Sequence, residues 1–161
     1  MLALDGTLIG AGSFICAKTK GLGQWPRFHA GLIHVASQGQ GLAAVAVENP
    51  FSGRGKQDGN ERGGRQARAG RVAWGARAII ELWAERRDVE VVGYAPSTIK
   101  KHAAGSGRAT KPQVAAAMVK LYPELAGEEF DTTDAVAVGV TCLARCDLDE
   151  LACGHVVERA R

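Results

Sequence analysis

Glu48, Asp131 and Asp134 are the residues of this 161-residue chain whose type and spacing point to chemistry. Glu48 follows the apolar run LAAVAV (Leu42 to Val47) and precedes Asn49-Pro50. That run reads as a strand buried on both faces, so Glu48 sits at its C-terminal end, where α/β sheets place their sites. A carboxylate there must reach solvent, a cation or a metal, because an unpaired buried charge is costly. Asp131 and Asp134 stand three apart at a helix start, which puts both on one face at about 5–6 Å between Cβ atoms. Two like charges so close repel unless a cation lies between them. Hard ions such as Mg²⁺ take oxygen ligands, and a metal pair ~3.5–4 Å apart can clamp the attacking and leaving oxygens of a phosphodiester. The plainer alternative is that Asp131 only caps its helix, as a good N-cap residue, while Asp134 is exposed in the first turn.

The elements that would position these residues can be read from periodicity and turn signals. Leu2 to Asp5 and Thr7 to Ile15 are apolar-rich and joined at Asp5-Gly6, a dipeptide suited to a hairpin. Helices are expected over Trp25 to Gln38, Arg65 to Arg87, Ser97 to Ala104, Lys111 to Tyr122 and Asp131 to Arg145. In the second of these, Ala69, Val72, Ala76, Ile79, Ile80 and Trp83 form the apolar stripe. Val89 to Ala95 is β-branched and reads as a strand ended by Pro96, and Gly53 to Gly64 reads as a mobile loop. Behind the aspartates, Ala135 to Val138 would bury the last helix and hold both carboxylates rigidly. Strands alternating with helices imply an α/β fold: a mixed β-sheet flanked by α-helices, with an N-terminal antiparallel hairpin. One domain over 1–146 and a tail over 147–161 are expected.

Composition narrows the class. Hydrophobic residues at 46% and charged residues at 23% exclude disorder and a coiled coil for the bulk. No apolar run approaches the ~20 residues of a membrane span, and no signal peptide is legible, so a cytoplasmic protein with no membrane partner is expected. Four cysteines are then reduced thiols. Cys142, Cys146, Cys153 and His155 lack common zinc spacing, and Cys142 reads as a core thiol. Net charge is only +3, but it is unevenly placed: residues 51–87 and 96–120 each carry a net +5, while 121–150 hold eight acids against Arg145. The pattern is a polyanion-attracting surface around a carboxylate cluster, or merely a solvated one.

The segments AVAVENPF (Ala44 to Phe51), VEVVGYAPSTIKKHAAGSGRATKPQV (Val89 to Val114) and DTTDAVAVGVT (Asp131 to Thr141) resemble the RuvC-type Holliday-junction resolvases, most of all the compact phage and prophage versions. The order of the matches agrees from about Thr7 to Cys146. The resemblance implies an RNase H-like fold and a homodimer that cuts four-way DNA junctions with Mg²⁺ or Mn²⁺ at a two-metal site, in a bacterial or phage-infected cell. It makes Glu48, Asp131 and Asp134 the metal ligands and places Lys100 and Lys111 near the scissile phosphate. Phe51 falls where an aromatic can stack on bases at the junction centre, though it can equally plug the sheet end. Arg65 to Trp83 falls on the dimer helix. Arg54, Lys56, Arg62, Arg65, Arg68, Lys101 and Arg108 would bind phosphates; for Arg62, Arg65 and Arg68 the alternative is a solvated dimer rim.

The family opens on a strand that carries an aspartate within Asp-x-Gly, a central metal ligand. Here LALDGTLIGAGSF reads better as the end of the family's second strand, a turn and its third strand, so the first strand is expected to be missing. Asp5 is then a turn residue, with a displaced metal ligand as the alternative. A metal-dependent, structure-selective endodeoxyribonuclease is the expected function. The rival is a branched-DNA binding protein of the same fold with impaired catalysis. A nuclease of RNA–DNA hybrids is disfavoured by the lysine-Gly-x-Gly region.

Overall fold

The computed structural model describes residues 1–3, 5–11, 24–37, 42–49 and 61–145, with the backbone alone for 61–69. Among the described residues five helices and two strands are formed: α1 (Gln24–Ser37), β1 (Ala44–Glu48), α2 (Glu61–Glu85), β2 (Glu90–Tyr94), α3 (Pro96–Ala104), α4 (Lys111–Leu121), a 3₁₀ turn (Pro123–Leu125) and α5 (Phe130–Arg145). β1 and β2 pair in parallel, Ala44 opposite Glu90 and Glu48 opposite Tyr94. A parallel pair needs a long crossover, and α2 is that crossover.

Local chemistry sets the boundaries. Pro96 opens α3, and Gly105 ends it at φ 75°, its N–H donating to the Lys101 carbonyl at 3.0 Å. Thr110 caps α4: its backbone N–H donates to Gln113 Oε1 at 2.8 Å, and Pro112 tolerates the first turn, where no intrahelical donor is needed. Tyr94, Ile99, Ala109, Val114, Met118, Leu125, Val136, Ala137, Val138 and Cys142 form one buried cluster, so β2 and α3 to α5 share a core. Cys142 is a buried free thiol, as its apolar setting suggested.

Several expectations need correction. The long helix begins at Glu61, inside the stretch read as loop; Gly63 and Gly64 cost helix stability without ending it. Val72 is 42% exposed and leaves the apolar stripe, because α2 packs through Gly75 against the Trp25 ring of α1 and through Trp83 and Ala84 further on. β1 is half-buried rather than covered on both faces, since β2 is its one strand partner among the described residues. The N-terminal hairpin is reduced there to a single antiparallel bridge, Leu2 to Leu8, around Gly6 at φ 87°. Asp5 sits in that turn, its Oδ1 accepting the Thr7 N–H at 2.9 Å, and Tyr122 donates its hydroxyl to the Gly6 carbonyl at 2.9 Å. Between this segment, α1, β1 and α5 lies an apolar cavity of about 700 Å³.

Candidate functional site

A groove of about 590 Å³ opens at the C-terminal end of the parallel pair. β1 contributes Ala46, Val47 and Glu48; α3 contributes Pro96, Ile99 and Lys100; α4 contributes Lys111 and Val114; α5 contributes Asp131, Asp134, Ala135 and Val138. All five residues expected to do chemistry therefore meet in one place. Helical spacing explains the α5 set: 131, 134, 135 and 138 share one face, while Val136 and Ala137 are driven into the core. The floor is the core itself, through Ile99, Val114 and Val138.

Asp131 is not the N-cap of its helix. α5 starts at Phe130, the N–H groups of Thr132 and Thr133 both bond the Glu129 carbonyl, and Asp131 lies in the first turn. That leaves its carboxylate free of the helix end and available to the groove. The cation between the two aspartates is the Lys111 ammonium, at 2.9 Å from Asp131 Oδ1 and 3.3 Å from Asp134 Oδ2. Among the described residues no three His, Cys, Asp or Glu side chains gather closely enough to hold a metal in this arrangement.

Glu48 lies at the exposed end of its strand, yet its carboxyl leans on the groove wall. Burial pushes its pKa up, and the Asp134 charge pushes it further, while Lys100 and Lys111 pull it down. Lys111 is held above the ordinary lysine value of 10.5, first by its hydrogen bond to Asp131 and, against some desolvation, by the bond to Asp134. A lysine with a raised pKa in the folded state adds stability below its unfolded pKa and loses it as pH climbs through the folded value. The thermal midpoint of wild-type protein should thus fall more steeply above pH 10.5 than that of Lys111→Met. Parallel curves for the two would show that the bridge contributes nothing.

Lys101, next to Lys100, and Arg108 are exposed and do not line the groove. Asp5 does not line it either. Arg62, Arg65 and Arg68 lie on α2, where only the backbone is described, and Phe51, Arg54, Lys56, Cys146, Cys153 and His155 lie outside the described residues. Two residues escaped the sequence reading: Asn49, taken only as a strand stop, and Arg77, whose guanidinium donates to the Asn49 side chain. A lone arginine amid the apolar half of α2 was the available signal.

Residues 67–142 match the family model described as crossover junction endodeoxyribonuclease RuvC. The chain is RuvC-like. The crossover junction endodeoxyribonuclease RuvC of Afipia carboxidovorans is 32% identical over 113 residues, covering 70% of this chain and 59% of that protein. The protein of that name from a Bradyrhizobium species is 33% identical over 113 residues, covering 70% and 58%. The structure of T. thermophilus RuvC in complex with Holliday junction substrate aligns with a TM-score of 0.57 and 26% identity, over 73% of this chain and 65% of that one. The RuvC-like chain thus has the RNase H-like fold that its segments implied, and it spans less than two thirds of the length of these relatives. The family match takes in Lys100, Lys111, Asp131 and Asp134 but not Glu48, whose place rests on the groove.

Proposed function

We propose that this protein is a metal-dependent endodeoxyribonuclease that resolves four-way or other branched DNA junctions. The observation that carries the reading is the convergence of Glu48, Asp131, Asp134, Lys100 and Lys111 on one groove at a sheet end. The donor chemistry suits a hard divalent cation: three carboxylates, all oxygen, one of them partly desolvated beside a second. Glu48, Asp131 and Asp134 would hold Mg²⁺ or Mn²⁺, as one ion or a pair, once Lys111 leaves its place between the aspartates and the carboxylates draw in; the bound ion would activate water and offset phosphate charge.

The chain's own groups do the rest. Lys111 keeps the two aspartates together, and its ammonium, already at the groove, can turn to a phosphate oxygen and stabilise charge that develops there. Lys100 stands across the groove on α3 and offers a second ammonium. Lys101 and Arg108 extend the positive surface along the DNA backbone, with Arg54, Lys56, Arg62, Arg65 and Arg68 as further phosphate contacts and Phe51 as a stacking residue. A homodimer is supported by α2, which leaves Trp74 and Leu82 52% exposed each. No helix among the described residues is long and apolar enough to cross a membrane. On this reading the protein acts on DNA in the cytoplasm of a bacterial or phage-infected cell.

The test is incubation with Mg²⁺ of a labelled four-way junction and of a linear duplex of the same sequence. Nicks near the crossover of the junction alone are expected. Equal cutting of both, or junction binding without cutting, would overturn the reading; the latter outcome describes a binding protein.

A further inference from the structure

β1 alternates its side chains between two faces, and the alternation divides neighbouring residues between two tasks. Ala46 and Glu48 turn toward the groove; Asn49, next in the chain, turns toward α2. There its Oδ1 accepts a hydrogen bond from Arg77 Nη1, while its backbone N–H donates to the Tyr94 carbonyl at 2.8 Å and extends the parallel ladder one step past the strand. Arg77 is itself held: its Nε donates to Glu81 Oε1 at 2.7 Å, one turn along the helix, and its side chain is only 19% exposed. The space for this junction comes from Gly93, the register partner of Val47. A Cβ at Gly93 would run into Asn49 Oδ1 and Arg77 Nη1, closer than real side-chain contacts allow.

We infer that Arg77 is a positioning residue for Glu48: through Asn49 it locks the end of β1 to α2 and so fixes where the Glu48 carboxyl enters the groove. The inference rests on the nuclease reading for its effect on rate, but not for the clamp itself. Several features favour a built device over a surface contact. An arginine sits on the half-buried face of α2 where neighbouring positions, Ala73, Ala76 and Ile80, are apolar. Its two bonds use different nitrogens of one rigid fork, so the direction of the guanidinium is set at both ends. A glycine, Gly93, lies at a strand position where a side chain would break the contact. The clamp also ties Glu48 to the helix that the reading assigns to dimer contacts, so a shift of α2 would be felt at the groove.

Reaction sites lose rate steeply when a group moves by an ångström, on the order of a hundredfold. Arg77→Met keeps the length and apolar stem but removes the fork. It should lower the single-turnover rate of junction cleavage by roughly ten- to a hundredfold and leave junction affinity within about twofold. Arg77→Lys, which still donates to Asn49, should recover part of the rate. Asn49→Ala should match Arg77→Met, and the double variant should be no worse than either alone. Independently of DNA and metal, amide hydrogen exchange at Asn49 should quicken in Arg77→Met with the α5 amides unchanged. A variant that folds, cuts at the wild-type rate and keeps Asn49 protected would overturn the inference. Should wild-type protein fail to cut junctions, the nuclease reading falls, and the exchange measurement still decides whether Arg77 holds the strand end.

Discussion

Glu48→Gln should reduce junction cleavage by roughly 10²–10³-fold, the scale seen when one preorganised charge-stabilising group is lost from a site. Junction affinity should change little, because the groove's positive side chains and the exposed Lys101 and Arg108 are untouched. The same substitution should raise the thermal midpoint of metal-free protein at neutral pH. The sign follows from linkage. The folded-state pKa of Glu48 lies above its ordinary value of 4.5, so the native chain binds this proton more tightly than the unfolded chain. Stability is therefore lost as pH rises between the two values, and above the folded pKa the full cost of the charged form is present. Glutamine carries no such charge. A variant that cuts normally would remove Glu48 from the site, and one that melts lower at neutral pH would refute its electrostatic strain.

Met118→Ala is the substitution expected to cost most in stability, about 2–5 kcal/mol for a Met-to-Ala truncation in a close-packed core. Met118 has no exposed surface. α4 carries it into the layer shared with α3 and α5, one turn beyond Val114, which floors the groove. Against a total stability of roughly 5–15 kcal/mol, such a loss is a large fraction. Urea melts should show it, and cleavage should fall with the folded fraction. Met118→Leu, which nearly conserves volume, should cost less than about 1.5 kcal/mol. A Met118→Ala midpoint equal to that of wild type would mean that the three helices do not share a close-packed layer.

Residues near in sequence were the legible part of this site. Strand and helix periods located β1, β2 and α5 within a residue or two, and the three-residue spacing of Asp131 and Asp134 did place both carboxylates on one face. What stayed hidden depends on contacts between distant segments. Lys111 is twenty residues from Asp131, so no local pattern announces that its ammonium is the cation between the aspartates. Arg77 is 28 residues from Asn49, and its role exists only because Gly93 leaves room on a third element. Val72 failed for a related reason: periodicity marks an apolar stripe, but the packing of α1 against Gly75 decides which part of it is covered. The start of α2 was misplaced because glycines at 63 and 64 resemble a break by composition, while the helix runs through them.

α5 serves the core and the groove at once, with Thr132, Val136 and Ala137 turned inward and Asp131 and Asp134 turned out. The helix that delivers both aspartates is also the last of the described elements, and it packs on β1, β2, α3 and α4. During synthesis, therefore, a growing chain exposes Glu48 and its lysines long before their acidic partners leave the ribosome. A half-made chain therefore lacks two of the three carboxylates that the proposed reaction needs, so on that reading cutting would wait until α5 has folded.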